Sequence, residues 1–394
     1  MIVENYPGEL GTKFVNWMLE LVNQNERMRP NTRLLFAALA LSISSSSLAQ
    51  LDELTIEEIA YRDSIKALNE DNAAIASSQE AYNRGIALFD QEKYGAAIEE
   101  FRKSLEFDPR FTAAYYNKGV AENKSEKYAD GVKTLTRLIE LKSNYSKAYF
   151  QRGLSYQGLN KYSEAEADYE KSLNLDATNP KAYYNFGTLR FLQKDYEGAL
   201  KYFTKTLELD KNNVNALNDR GSSYRMLGKY PQAIADYDAA IAKNPNLAFV
   251  LNNLGTTKTK TKDYAGALAA FNRAISVDAN FHLAYNNRGV VQMNQNRLDD
   301  AEKDFKKALS VQPDYSPAAS NLSAIYFKKK EYQKALDEAE KAVGMDKEND
   351  AAYVNRGNAK EMLRDMNGAC ADWLKAKELG SESGKKYYAE NCGN

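Results

Sequence analysis

Histidine is almost missing from this chain: His282 stands alone among 394 residues, beside two cysteines, Cys370 and Cys392. That excludes most zinc sites, which draw on several His and Cys ligands, and leaves no Ser-His triad to read. Proline is scarce, at 8, and glycine numbers 21. So few helix breakers among abundant Ala, Leu, Lys and Glu point to helix. Net charge is nearly absent too, with 53 Lys and Arg against 54 Asp and Glu, so no broad pull toward nucleic acid is expected. There is no phosphate-binding glycine run, no H-E-x-x-H and no G-x-S-x-G. Acids such as Glu99-Glu100, or Glu164 with Glu166, read as solvated helix faces. The expectation is a non-enzyme with no cofactor and no metal. Tyrosine is the one excess, at 27.

Long apolar runs are also lacking. Leu34 to Ile43 is the apolar stretch that stands out, ten residues, about half what a membrane-spanning helix needs. Arg29 and Arg33 precede it, and Ser47-Leu48-Ala49 follows with small residues where a signal peptidase inspects the chain. Residues 28–49 are therefore expected to be a cleaved export signal, with the mature protein starting at Gln50 in a periplasm or outer envelope. No Cys follows the cleavage site, so the lipoprotein form is absent. Residues 1–27 carry Glu4, Glu9, Glu20 and Glu26, which is unusual ahead of such a signal, and read as an extension upstream of a start at Met28. The alternative is an amphipathic helix bearing Phe14, Trp17, Met18 and Leu21.

What the sequence holds in quantity is repetition. Glycine recurs at Gly85, Gly119, Gly153, Gly187, Gly221, Gly255 and Gly289 with a spacing of 34, and again at Gly357, with Ser323 at the skipped position. Twelve residues after each comes Ala97, Gly131, Ala165, Ala199, Ala233, Ala267, Ala301, Ala335 or Ala369. Four further on stands an aromatic in seven of nine cases: Phe101, Tyr169, Phe203, Tyr237, Phe271, Phe305 and Trp373. Each unit reads as two helices, in the second unit about Ala113–Ser125 and Ala129–Leu141, with a turn at Lys127-Tyr128. Small residues mark where the two backbones cross. One pair cannot cover its own apolar stripe, so units stack and draw stability from their neighbours.

This small–aromatic pattern resembles the tetratricopeptide repeat over about Ser78 to Gly380. The resemblance implies an all-α, right-handed superhelical solenoid whose first helices line a concave, peptide-binding groove. Nine units are expected: 78–111, 112–145, 146–179, 180–213, 214–247, 248–281, 282–315, 316–349 and 350–380. A helical cap over 50–77 precedes them, with a capping box at Thr55 and Glu58, a helix to about Leu68 and a link from Asn69 to Ser78. A short final helix, Lys385 to Asn391, closes residues 381–394. One departure is basic residues before the glycine, at Arg84, Lys118, Arg152, Arg220, Arg288 and Arg356, whose stems cover apolar surface while their heads reach water. Polar residues at Glu122, Arg190, Lys258, Gln292 and Lys360 suggest looser packing of the first helices.

The groove is where activity is expected. Two residues before each glycine stand Asn83, Asn117, Asn185, Asn253, Asn287, Asn321 and Asn355, with Gln151 and Asp219 as exceptions. Carboxamides match a peptide bond's donor and acceptor, so this ladder either holds an extended backbone or bonds neighbouring helices. One position earlier, Tyr82, Tyr116, Phe150 and Tyr184 would anchor apolar groups, unless they pack between units. Asn218, Asn252 and Asn286 follow. Only Lys147 and Lys181 match the family's clamp for a terminal carboxylate, so that clamp is not expected. The partner is expected to be a protein or peptide, with a membrane reached only through it and the chain itself a monomer or weak homo-oligomer. A self-associating rod or a glycan binder is the alternative. In an oxidising compartment Cys370 and Cys392 would pair and pin the last helix; otherwise one thiol is buried and one exposed.

Overall fold

The computed structural model describes residues 56–392. The upstream extension, the export signal, its cleavage site and the capping box at Thr55 lie outside the described residues. Among those described, every regular element is a helix, nineteen in all. Two compact units emerge, one holding residues 56–81 and 106–109, the other 82–105 and 110–392.

α1 (Ile56–Asp90) and α2 (Tyr94–Phe107) bring in the first repeat. Then come α3 (Thr112–Lys124), α4 (Tyr128–Leu141), α5 (Ser146–Gly158), α6 (Tyr162–Leu175), α7 (Pro180–Leu192) and α8 (Tyr196–Leu209). The pairs continue through α9 (Val214–Met226), α10 (Tyr230–Lys243), α11 (Ala248–Lys260), α12 (Tyr264–Val277), α13 (His282–Asn294) and α14 (Leu298–Val311). α15 (Ser316–Lys328), α16 (Tyr332–Met345), α17 (Asp350–Met362), α18 (Met366–Glu378) and α19 (Glu382–Asn391) complete the chain.

In the smaller unit the expected link at Asn69–Ser78 does not exist. α1 runs unbroken for 35 residues. No Gly or Pro interrupts residues 56–84, and Ala73, Ala74 and Ala76 carry the helix past the polar Asn69–Asn72 stretch. Ile59 and Ile75 remain exposed.

In the larger unit each first helix from α3 onward packs on its own second helix, and each from α5 onward also packs on the second helix before it. Consecutive first helices also touch, whereas consecutive second helices make no comparable contact. The first helices therefore sit on the inner side of the stack. The repeating glycine serves the aromatic ring more than the backbone crossing. A Cβ on Gly187 would fall 2.7 Å from Phe203 Cδ1, and one on Gly357 2.6 Å from the Trp373 indole nitrogen. Phe101, Tyr169, Phe203, Tyr237, Phe271, Phe305 and Trp373 are all fully buried, each in the hollow its glycine leaves.

Each turn between paired helices is closed by one residue in the left-handed region: Glu92, Glu126, Asn160, Lys194, Gly228, Lys262, Asn296, Lys330 and Arg364. Their spacing is again 34. In the second unit the Lys127 N–H donates to the Glu122 carbonyl at 2.8 Å and the Glu126 N–H to that of Asn123 at 3.1 Å. That pair of bonds is a Schellman closure, which satisfies carbonyls the helix end leaves orphaned.

The basic residues before the glycines depart from expectation. Arg84 stays exposed while it bonds Glu100, but the heads of the other five do not turn to water. Arg152 grips Asp168 with two bonds of 2.7 and 2.8 Å, and Arg220 grips Asp236 with 2.8 and 2.7 Å. Arg288–Asp304 and Arg356–Asp372 repeat the arrangement. All four aspartates are buried. A buried carboxylate is costly unless paired, and the planar guanidinium meets both its oxygens at once. Arg152 and Arg288 reach further, to Thr136 and Asn272 on the preceding unit's second helix. Polar residues foreseen as loosening the packing join such networks: Glu122 bonds Lys118, and Lys360 lies 2.9 Å from Asp372.

At the end of the stack α19 covers the last repeat. Tyr387 stacks on Trp373 at a ring separation of 5.5 Å. Cys370 and Cys392 come together as a pair with Cα atoms 5.7 Å apart, a spacing a disulfide spans.

Candidate functional site

The side chains two and three residues before each glycine form a single register across the repeats. The residue two before the glycine reaches back 35 positions to the residue three before the previous glycine. Asn253 donates to Asn218 Oδ1, Asn287 to Asn252 Oδ1 and Asn321 to Asn286 Oδ1, each at 2.9 Å. Asn355 donates to the Ser320 carbonyl at 2.8 Å. Where the earlier residue is tyrosine, the hydroxyl can take part: Asn117 donates to the Tyr82 hydroxyl at 2.8 Å and Tyr184 donates to Asp219 Oδ2 at 2.7 Å, while Tyr116 is set beside Gln151.

One rung is missing. Phe150 has no hydroxyl to offer, and Asn185 turns to the Lys181 carbonyl of its own helix at 2.8 Å. The ladder thus bonds neighbouring first helices, one of the two readings the carboxamides allowed. It does not exhaust them. A carboxamide has two N–H donors and an acceptor, and each rung uses one donor. Asn117, Asn185, Asn253, Asn287, Asn321 and Asn355 stay partly exposed on the inner face, and Asn83 is exposed.

The aromatic stripe is less available than the sequence suggested. Phe150 is 7% exposed and packs on Tyr169, so it is core and not an anchor. Tyr82, Tyr116 and Tyr184 are half-buried against Phe101, Tyr145 and Phe203. Burial raises the hydroxyl pKa of both Tyr116 and Tyr184, and the neighbouring Asp219 charge adds to the rise at Tyr184. Asp219 is itself pushed above the usual carboxylate range by desolvation, which the bonds from Tyr184 and Asn218 oppose. His282 stands edge-on to Tyr315 at 4.8 Å, a packing contact.

No group of His, Cys, Asp and Glu among the described residues is placed to hold a metal ion. None of the described helices is long and apolar enough to cross a membrane.

Family models described as tetratricopeptide repeat match residues 146–179, 214–247 and 282–315, residues 180–213, and residues 250–281 with 317–349. A further TPR repeat model matches 85–124, and together they take in more than half the chain. The first model picks out alternate units, three of the four that carry the Arg–Asp grip. Two solved structures share the fold. A tetratricopeptide repeat protein from Parabacteroides merdae is 20% identical, with 62% of this chain and 97% of that one covered at a TM-score of 0.54. A chain of the APC/C hetero-tetramer Cut9-Hcn1 is 17% identical, with 88% and 66% covered at 0.51. No curated protein matches the sequence.

Proposed function

This chain belongs to the tetratricopeptide repeat family, and from that premise we propose that it is a non-enzymatic scaffold holding an extended peptide or protein segment along its first helices. Repeats of this kind support protein–protein interaction in general; the occupied face and the form of the ligand are our reading. One observation carries it. The inner face bears a row of partly exposed carboxamides whose positions are fixed by bonds to the preceding repeat. Side chains held in place before a ligand arrives lose little entropy on binding, which favours affinity from modest contacts. Donors and acceptors at repeat spacing suit a backbone more than a particular side chain.

The setting we propose is an exported one, with cleavage after Ala49. The Cys370–Cys392 pairing fits an oxidising compartment. N-terminal sequencing of native protein tests this; a chain beginning at Met1 overturns it.

Asn185 gives the cleanest test of binding. It takes no inter-repeat rung, so its loss should leave the stack intact. Peptides selected from a random library against the full chain should lose affinity about tenfold on Asn185→Ala, the scale of one hydrogen bond. Unchanged affinity for every selected peptide would count against the inner face as the binding surface.

A further inference from the structure

Between α7 and α9 the inner face opens into a cavity of about 150 Å³, lined by Thr188, Phe191, Phe203, Asp219 and Ser222. Its hydroxyls are already engaged: Thr188 donates to the Tyr184 carbonyl at 3.1 Å, and Ser222 pairs with the Tyr237 hydroxyl at 3.1 Å. Two of its walls are aromatic rings. The group left unmatched is the Asp219 carboxylate. It accepts one bond on each oxygen, from Tyr184 at 2.7 Å and Asn218 at 2.9 Å, and no lysine or arginine among the described residues pairs with it. A carboxylate offers about four acceptor sites, so about two remain.

From this geometry we propose that the cavity receives the lysine side chain of a segment lying on the inner face, with its ammonium against Asp219. The inference rests on the function proposed above for the identity of that segment, though not for the pocket itself. Lysine fits because its apolar stem matches the ring-lined walls and its compact charge needs a single oxygen. A guanidinium would seek both oxygens side-on, where Tyr184 and Asn218 already bond. A lone carboxylate is too few ligands for a divalent cation.

The choice of residue supports the same conclusion. Seven of the nine units place Asn here and one places Gln, and either could satisfy the Tyr184 hydroxyl without charge. Asp at this position is held in a setting that disfavours ionisation, a local cost that an incoming cation offsets.

The test uses n-butylammonium, the tip of a lysine, against uncharged 1-pentanol, each titrated into the full chain and read by the Asp219 ¹³Cγ and Thr188 methyl NMR signals. Butylammonium should shift both signals saturably, bind about tenfold more tightly than pentanol, and lose that margin in Asp219→Asn. Equal binding of the two probes, no binding of either, or a margin that survives Asp219→Asn would overturn the proposal. Asp219→Asn restores the residue common in the other units, so it should fold, and its melting curve checks this. Separately, selected peptides that bind without any lysine preference would leave the scaffold reading standing and sink only the pocket. Saturable butylammonium binding without any peptide binding would do the reverse.

Discussion

Asn253 donates a carboxamide N–H to Asn218 Oδ1 at 2.9 Å, across 35 residues and one repeat boundary. The acceptor belongs to a residue only 8% exposed, so water cannot readily replace the bond. Asn253→Ala should cost about 1–2 kcal/mol, the penalty for stranding a buried polar atom. Urea unfolding would show this as a lower midpoint. An unchanged midpoint would mean the rung contributes nothing to stacking.

The gap in the ladder predicts a gain. Phe150→Tyr would supply a hydroxyl where Tyr82, Tyr116 and Tyr184 already have one, and Asn185 stands 35 residues on to meet it. Stability should hold or rise by up to about 1 kcal/mol. A loss larger than that would show that the buried setting of Phe150 has no room for the new rung.

The buried Arg220–Asp236 grip should behave asymmetrically. Asp236→Ala leaves a mostly buried guanidinium without its partner and should cost about 3 kcal/mol. Adding Arg220→Leu should recover most of that, because the sixth unit already places Leu254 and Ala270 at these two positions. A double variant no more stable than Asp236→Ala would contradict this. Melting temperatures of the three proteins decide it.

Asp219 sets a pH dependence. Its folded pKa is raised by desolvation, so the native state binds the proton more tightly than the unfolded chain. Its contribution to stability is therefore most favourable below the unfolded carboxylate range, near 4, and declines as pH rises through the folded value. Asp219→Asn should remove this decline and be the more stable protein at neutral pH. Equilibrium unfolding at a series of pH values compares the two; a constant difference would contradict the assignment.

The Cys370–Cys392 pair spans 22 residues. In oxidised protein it should add about 3 kcal/mol, by limiting the unfolded chain. Cys370→Ser with Cys392→Ser should lower the melting temperature, and reductant should then have no further effect. Intact mass with and without reductant checks the bond itself.

The strict phase of Gly187, Ala199 and Phe203 with their counterparts made the helix pairs and their stacking legible in the sequence. α3 and α4 each begin one residue before the expected starts. The Arg–Asp grips were missed because their partners sit 16 residues apart across a turn, outside any helical period. The signal was present nonetheless: Arg152, Arg220, Arg288 and Arg356 recur at twice the repeat length, with Asp168, Asp236, Asp304 and Asp372 in step. The left-handed turn residues were hidden for a different reason. Gly228, Asn160 and Asn296 suit that conformation, but Lys194, Lys262 and Arg364 carry no preference for it and are placed there by the helices they join. Phe150 read as an anchor because spacing gives the face of a helix and not how deeply a neighbour covers it.

The central claim is that ligand lies along the first helices. A photoreactive phenylalanine placed at Asn185 or Asn83 on that face, and at Lys171 or Lys307 on exposed second-helix positions, tests it with a peptide selected against the full chain. Cross-links should form from the first pair of sites and be competed away by unlabelled peptide. Cross-links from Lys171 or Lys307 instead would place the binding surface on the outer helices and contradict the account.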